Sequence, residues 1–378
     1  MFVFVSCLHK QSKNTVTTFT DNVMTKEYPV NPKDGKTIYA SSVFDSIAYL
    51  TFPFEDNTTI GSINKLEVHN SRYYFWDGIS KKIWCYDLNG NYIFQIDKRG
   101  QGPGEYLEIS DFNIDKERQQ IQILDRSLRK ILCYDLNGNY IKGIKMEVAA
   151  NQFAVLQNGF LLYTRGADIF MDKDKDLYGF NLFMSDSVGN LLEKYCPYND
   201  FTDDYIGFKT FSIHDKNVFF RYSRNDTIYE FDHTGNLTCK LLFDFGKYRT
   251  PINTIKDKER MSIYNNNPDF ARVFESFHTL QHMFVIYIFE NRLRFLLMDK
   301  QSDKIINGSF LENDIDGISL ANPSPIYAWQ NQLIYIKEAA DIIEQKKNGE
   351  PVYKGIPQLS HLQEDDNPVI VIAYLKKQ

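Results

Sequence analysis

Along much of this chain apolar and polar residues alternate with a period of two, the spacing of half-buried strands rather than helices. Ser46–Phe54 reads SIAYLTFPF, Lys65–Asp77 reads KLEVHNSRYYFWD, and Pro368–Leu375 reads PVIVIAYL. Each run is short and bounded by turn residues. LNGN follows Asp87 and again Asp135, between alternating apolar runs. Asn-Gly at such a place marks a hairpin, because the tight turn needs positive φ, which Gly and Asn tolerate.

The pattern repeats almost verbatim. Lys82–Ile93 is KIWCYDLNGNYI and Lys130–Ile141 is KILCYDLNGNYI, 48 residues later. A period of that length means copies of one small unit, and four short strands per unit give a β-propeller blade. Weaker copies keep the Asp of the turn, so the anchors are Asp87, Asp135, Asp186, Asp232 and Asp299. Pro368–Leu375 stands where a sixth copy's third strand belongs. The fold class is therefore all-β, a six-bladed β-propeller. Ser46–Phe54 precedes the first copy without a partner, and the last copy lacks its fourth strand. Pairing 46–54 with 368–375 closes the ring and removes two exposed edges.

Two stretches interrupt the alternation. Residues 250–278 carry helix formers and read as a helical insertion between blades four and five. Ala339–Lys347 (AADIIEQKK) reads as a short helix in the last blade. The propeller is expected over residues 42–378.

Composition narrows the function classes. Of 378 residues, 15% are aromatic, which suits pleated surfaces, and the net charge is −6. No basic stripe exists for a nucleic-acid partner. Lys and Arg are scattered, so a polybasic membrane patch is absent too. Cys85 and Cys133 occupy equivalent places in adjacent copies. That puts them too far apart for a disulfide, so they read as small buried core residues.

The amino end stands apart. MFVFVSC places a short apolar run before Ser6 and Cys7, similar to the end of a bacterial lipoprotein signal, although the basic region is missing and the apolar run is short. Residues 1–41 are read as a truncated signal remnant and a flexible polar tether, with Cys7 as the lipidation site. Membrane contact is expected only through that anchor.

The order SIAYLTFPF, IGSINKLEVHNSRYYFWD, KIWCYDLNGNYIFQIDKRGQGPGEY and ISDFNIDKERQQIQILD resembles the six-bladed β-propeller lipoproteins of Bacteroides-type bacteria, which are NHL-repeat-like in architecture. The resemblance runs from Ser42 to Leu375 and is strongest over Ser62–Lys142. It implies an exported, lipid-anchored protein of the cell envelope, in a family that lends little about activity.

Several motifs have the composition of chemical sites. Gly100–Tyr106 (GQGPGEY) superficially matches a phosphate loop, but Pro103 and a following strand deny it the helix such a loop needs. It reads first as a connection between blades, and second as a ligand-contacting loop. In a propeller such connections share a face with the turns between second and third strands. That face carries the candidate ligand-binding residues Gln101, Glu105, Tyr106, Arg126, Arg129, Arg224 and Asp226, with Arg chosen for its planar fork. Asp172–Asp176 (DKDKD) lacks the Gly and Glu of a calcium loop and reads as a solvated loop. His278 and His282 lack the Glu of a zinc motif.

No metal site or other cofactor is assigned. The leading expectation is a non-enzymatic binding or interaction scaffold for a carbohydrate, peptide or envelope protein. The alternative is a metal-dependent hydrolase or lyase at the channel mouth, which would need carboxylates from several blades gathered on the axis.

Overall fold

Antiparallel pairing between sequence neighbours builds almost every sheet in the molecule. The computed structural model describes residues 23–53, 58–164, 180–197, 209–221, 226–251, 267–320, 324–347 and 356–377. In chain order, β1 (Met24–Pro29), β2 (Lys36–Tyr39) and β3 (Phe44–Leu50) come first. Blade 1 follows with β4 (Lys65–His69), β5 (Arg72–Asp77), β6 (Lys82–Asp87) and β7 (Tyr92–Ile96). Blade 2 holds β8 (Asp111–Asp115), β9 (Gln120–Asp125), β10 (Lys130–Asp135) and β11 (Tyr140–Lys145). Blade 3 holds β12 (Gln152–Leu156), β13 (Gly159–Tyr163), β14 (Phe180–Asp186) and β15 (Leu191–Pro197). Blade 4 holds β16 (Phe211–His214), β17 (Asn217–Arg221), β18 (Thr227–Phe231) and β19 (Leu237–Asp244). Blade 5 holds β20 (Arg272–His278), β21 (His282–Phe289), β22 (Arg292–Asp299) and β23 (Ile305–Glu312). Blade 6 holds β24 (Tyr327–Trp329), β25 (Gln332–Lys337) and β26 (Val369–Leu375).

Each of the six sheets buries one face against the blade before it and the other against the blade after. Alternation along a single strand does this. In β5, Tyr73 and Phe75 enter the cluster shared with blade 6, while Tyr74 enters the cluster shared with blade 2. Cys85 faces the interface of blades 1 and 2, and Cys133 that of blades 2 and 3. Both are buried free thiols. Six such apolar clusters, one between every adjacent pair of blades, complete the circle.

The chain ends meet in blade 6. Strand β3 pairs antiparallel with β26, Leu50 opposite Ile370 and Phe44 opposite Leu375. The closing strand thus spans 44–50, starting two residues and ending four residues before the expected 46–54. The propeller also extends further towards the amino end than residue 42. β1 adds a fifth, parallel strand to the outside of blade 4, and β2 does the same for blade 5. Tyr28 stacks on Phe243 at 5.4 Å, and Arg294 Nη1 donates to the Pro32 carbonyl at 2.7 Å. From Met24 to Leu50 the chain is a strap over three consecutive blades, not a tether. Residues 1–22, including Cys7, lie outside the described residues.

The repeated turn is a five-residue unit, Asp-x-x-Gly-Asn. Asp87 Oδ1 accepts the backbone N–H groups of Asn89 and Asn91, and Asn91 Nδ2 donates to Oδ2 at 2.7 Å. Asp135, Asp186 and Asp232 repeat the arrangement with Asn139, Asn190 and Asn236. Gly90 sits at φ +85°, where a Cβ would come within 2.6 Å of the Thr51 carbonyl oxygen.

Of the two expected insertions, Ala339–Lys347 is a helix. The other differs. Residues 252–266 lie outside the described set, but 272–278 form β20, the innermost strand of blade 5. A register shift between Val273 and Glu275 breaks its alternation and hides the strand in the sequence.

Candidate functional site: the axial cavity

The first strand of each blade lies innermost, so six short strands surround the axis. They enclose a cavity of about 130 Å³. Blade 1 contributes Lys65 and Glu67, blade 2 Asn113 and Asp115, and blade 3 Val155 and Leu156. Blade 4 contributes Phe211 and Ile213, blade 5 Ser276 and Phe277, and blade 6 Ile326 and Tyr327. Lys116, Gln157 and Asp215, at the turns that end the inner strands, line the same space, as does His233 from the blade 4 Asp-x-x-Gly turn. These turns lie on the face that carries the first-to-second and third-to-fourth strand turns, while Lys209 and Ile326 line the cavity from the other end, where the chain enters β16 and β24. Arg126 and Arg129, expected to contact a ligand, lie in the second-to-third strand turn of blade 2, on the opposite face from the turns at Lys116, Gln157 and Asp215.

Charge in the cavity is fixed by neighbouring blades. Lys65 Nζ donates to Asp111 Oδ1 at 2.8 Å and to Asn113 Oδ1 at 3.1 Å. Asp111 Oδ2 accepts Phe153 N–H, and Asn113 Nδ2 donates to the Phe153 carbonyl, so the network ties blades 1, 2 and 3. Glu67 Oε2 accepts Ile114 N–H at 3.2 Å. Burial raises the pKa of both Glu67 and Asp111, and Lys65 opposes the rise in each. Across the axis Lys209 Nζ donates to the Pro325 carbonyl at 2.9 Å and lies 4.9 Å from the centre of the Phe277 ring. Burial depresses its pKa, while the charge of Glu275 works the other way.

A shallower depression adjoins the cavity, lined by Lys116, His214, Leu280, Tyr327, Trp329 and Gln330. Burial lowers the His214 pKa to about 4. Nearby His278 is buried, stacks on Phe219 at 3.5 Å, and has no hydrogen-bond partner at either ring nitrogen among the described residues. Burial keeps it neutral. His278 ends β20 and His282 begins β21, so the two never share a helix.

The residues singled out from sequence take other places. Tyr106 is fully buried between blades 1 and 2, its hydroxyl donating to the carbonyls of Lys81 and Ile96. Glu105 turns back on its own loop and accepts Gly102 N–H at 2.8 Å, while Gln101 is exposed. The Gly100–Tyr106 loop thus fastens one blade to the next. Arg126 and Arg129 are half-buried in the blade 2 turn; Arg126 N–H donates to Ser110 Oγ and the Arg129 carbonyl accepts Met146 N–H. Asp226 is buried, accepts Val273 N–H at 3.2 Å from the next blade and lies 3.5 Å from Arg249 Nε. None of these six lines the axial cavity. Arg224 and Asp172–Asp176 lie outside the described residues. Among the described residues no group of three or more His, Cys, Asp or Glu side chains is placed to hold a metal ion.

The cavity residues had a sequence signal. Lys65 and Glu67 in β4, and Asn113 and Asp115 in β8, with the buried Asp111 behind them, are polar at alternate positions of otherwise apolar first strands. In a propeller that side of the innermost strand faces the axis.

The profile described as "Domain of unknown function (DUF4934)" matches residues 26–374, nearly the whole described fold. The chain belongs to this family. The match begins inside β1, in keeping with a strap that is part of the propeller. Among solved structures the DUF4934 chain is similar to an exported-protein candidate from Bacteroides fragilis, with a TM-score of 0.71 and 16% identity over 94% of this chain and 100% of that one. It is also similar to a DUF4221 family member from Bacteroides vulgatus, with a TM-score of 0.53 and 11% identity over 88% and 97%. At such identities the likeness shows the fold alone. No curated protein matches the chain.

Proposed function

We propose that this DUF4934 propeller is a non-enzymatic binding protein of the cell envelope that takes a small ligand, or the end of a larger one, into its axial cavity. The observation that carries the reading is the composition of that cavity. Apolar side chains such as Val155, Phe211, Phe277 and Ile326 line it together with lysines, carboxylates and amides, and the polar groups of blades 1 and 2 are held in place by neighbouring blades, a mixture suited to a preformed ligand pocket. Most of the buried polar groups are already committed to backbone partners. Glu67 and Asp111 accept N–H groups, and Asn113 serves a carbonyl. Groups so committed can orient a ligand, but they are poorly placed to exchange protons with it.

Export and a lipid anchor at Cys7 complete the proposal. Their support is the MFVFVSC sequence and the likeness to a Bacteroides fragilis chain described as an exported-protein candidate. Two experiments test the whole. A screen of sugars, short peptides and small acids, read by ligand-observed NMR, should find binders that are recovered chemically unchanged; turnover of a bound compound contradicts the reading. A fatty-acid analogue supplied to cells making the full-length precursor should label the protein at Cys7, and an unlabelled Cys7-containing precursor removes the anchor.

A further inference from the structure

Among the cations that line the cavity, Lys65 and Lys209 differ in kind. Lys65 has a carboxylate at 2.8 Å and is satisfied. Lys209 is half-buried, and its described contacts are one carbonyl, that of Pro325, and the face of Phe277. An ammonium has three N–H donors. The nearby Glu275 accepts the Ser324 hydroxyl at 2.5 Å; its charge favours the lysine's charged form, but among the described residues no direct ion pair joins the two. A half-buried ammonium with no direct ion pair among the described residues keeps donors and charge that a ligand anion can take up.

The wall beside Lys209 is aromatic and aliphatic, with Phe211, Phe277 and Ile326. The space of about 130 Å³ is comparable to the ~150 Å³ apolar cavity that accepts a benzene ring. One ring or one branched side chain fits there; a folded domain or an oligosaccharide does not.

We infer that the axial cavity recognises a small aryl or alkyl carboxylate, or the C-terminal residue of a peptide, with the Lys209 ammonium as counter-ion and the Phe211–Phe277 wall as the bed for the hydrocarbon. This rests on the proposed binding role of the cavity. The burial that depresses the lysine pKa adds a signature. A bound carboxylate favours the charged amine, so affinity falls as pH rises through the lysine's titration.

The test uses 3-phenylpropionate, its primary amide, and 3-phenylpropylamine against the whole protein by isothermal titration. The acid should bind at least about tenfold tighter than the amide, since a hydrogen bond to a charged group is at stake. Lys209→Met should abolish that preference while leaving weak amide binding. Equal binding of acid and amide, tighter binding of the amine, or an acid preference retained in Lys209→Met overturns the inference but leaves the cavity as a binding site. Failure of all three compounds to bind overturns the cavity's proposed role as well. If Lys209→Met does not fold, the comparison of acid with amide on the unaltered protein still decides.

Discussion

Ile372 lies opposite Ala48 in the sixth sheet, and this pairing joins the two ends of the chain. The seam has measurable consequences. Phe44 begins the closing strand, is 1% exposed, and packs in the cluster between blades 5 and 6. Phe44→Ala should destabilise the protein by about 3–5 kcal/mol in urea unfolding, the range for a buried Phe. A result under about 1 kcal/mol would mean that the strand does not close the ring.

The strap can be tested separately. Tyr28 is the one buried residue of β1, 6% exposed and stacked on Phe243. Tyr28→Ala should cost about 2 kcal/mol or more. A tether over these residues would give no change.

Asp77 is the densest latch in the described structure. Its carboxylate accepts the N–H groups of Gly61, Ser62, Ile79 and Ser80 and the indole N–H of Trp84. Burial by itself raises its pKa, but hydrogen bonds led by Ser80 and Gly61 outweigh this and hold it below the usual value. Its stabilisation is therefore present above the ordinary carboxyl pKa and lost as pH falls through the depressed one. Asp77→Ala should destabilise by ~2 kcal/mol or more at pH 7, because several donors lose one acceptor. The variant should also lose part of the wild type's acid sensitivity below the ordinary carboxyl pKa.

Asp226 and His278 should tilt stability in opposite directions over overlapping pH ranges. Burial raises the Asp226 pKa to about 7, despite Arg249 nearby. Between the ordinary carboxyl pKa and that value the native state holds a proton that the unfolded state releases, so stability falls as pH rises. His278 is held well below its ordinary pKa, so acidification below ~6.5 protonates only the unfolded state and stability falls as pH drops. Asp226→Asn should make the pH 4–7 slope more positive and His278→Phe more negative, each by at most about 1.4 kcal/mol per pH unit. Parallel slopes in wild type and both variants, measured by urea midpoints, would contradict these environments.

What the sequence disclosed was the locally coded part. The Asp-x-x-Gly turns at Asp87 and Asp135 fold from contacts within five residues, so they were plain in the repeat. The seam was legible because Ser46–Phe54 and Pro368–Leu375 were the apolar strands left unpartnered. The strap was not legible: MTKEYP buries a single side chain and is held mostly by backbone pairing to β19, which leaves no alternation to read. Gly100–Tyr106 attracted attention by composition, yet its tyrosine serves the interface between blades. The cavity was hidden because six distant strands supply it, and Lys65 meets Lys209 only through the ring.

The most direct test of the axial site is a crystal soaked with 3-(4-bromophenyl)propionate and measured at the bromine edge. The account predicts one anomalous peak on the ring axis beside Phe211 and Phe277, with the carboxylate in hydrogen-bond reach of Lys209 Nζ. A peak confined to the outer surface, or to the face carrying Arg126 and Arg129 with the axis empty, would contradict it.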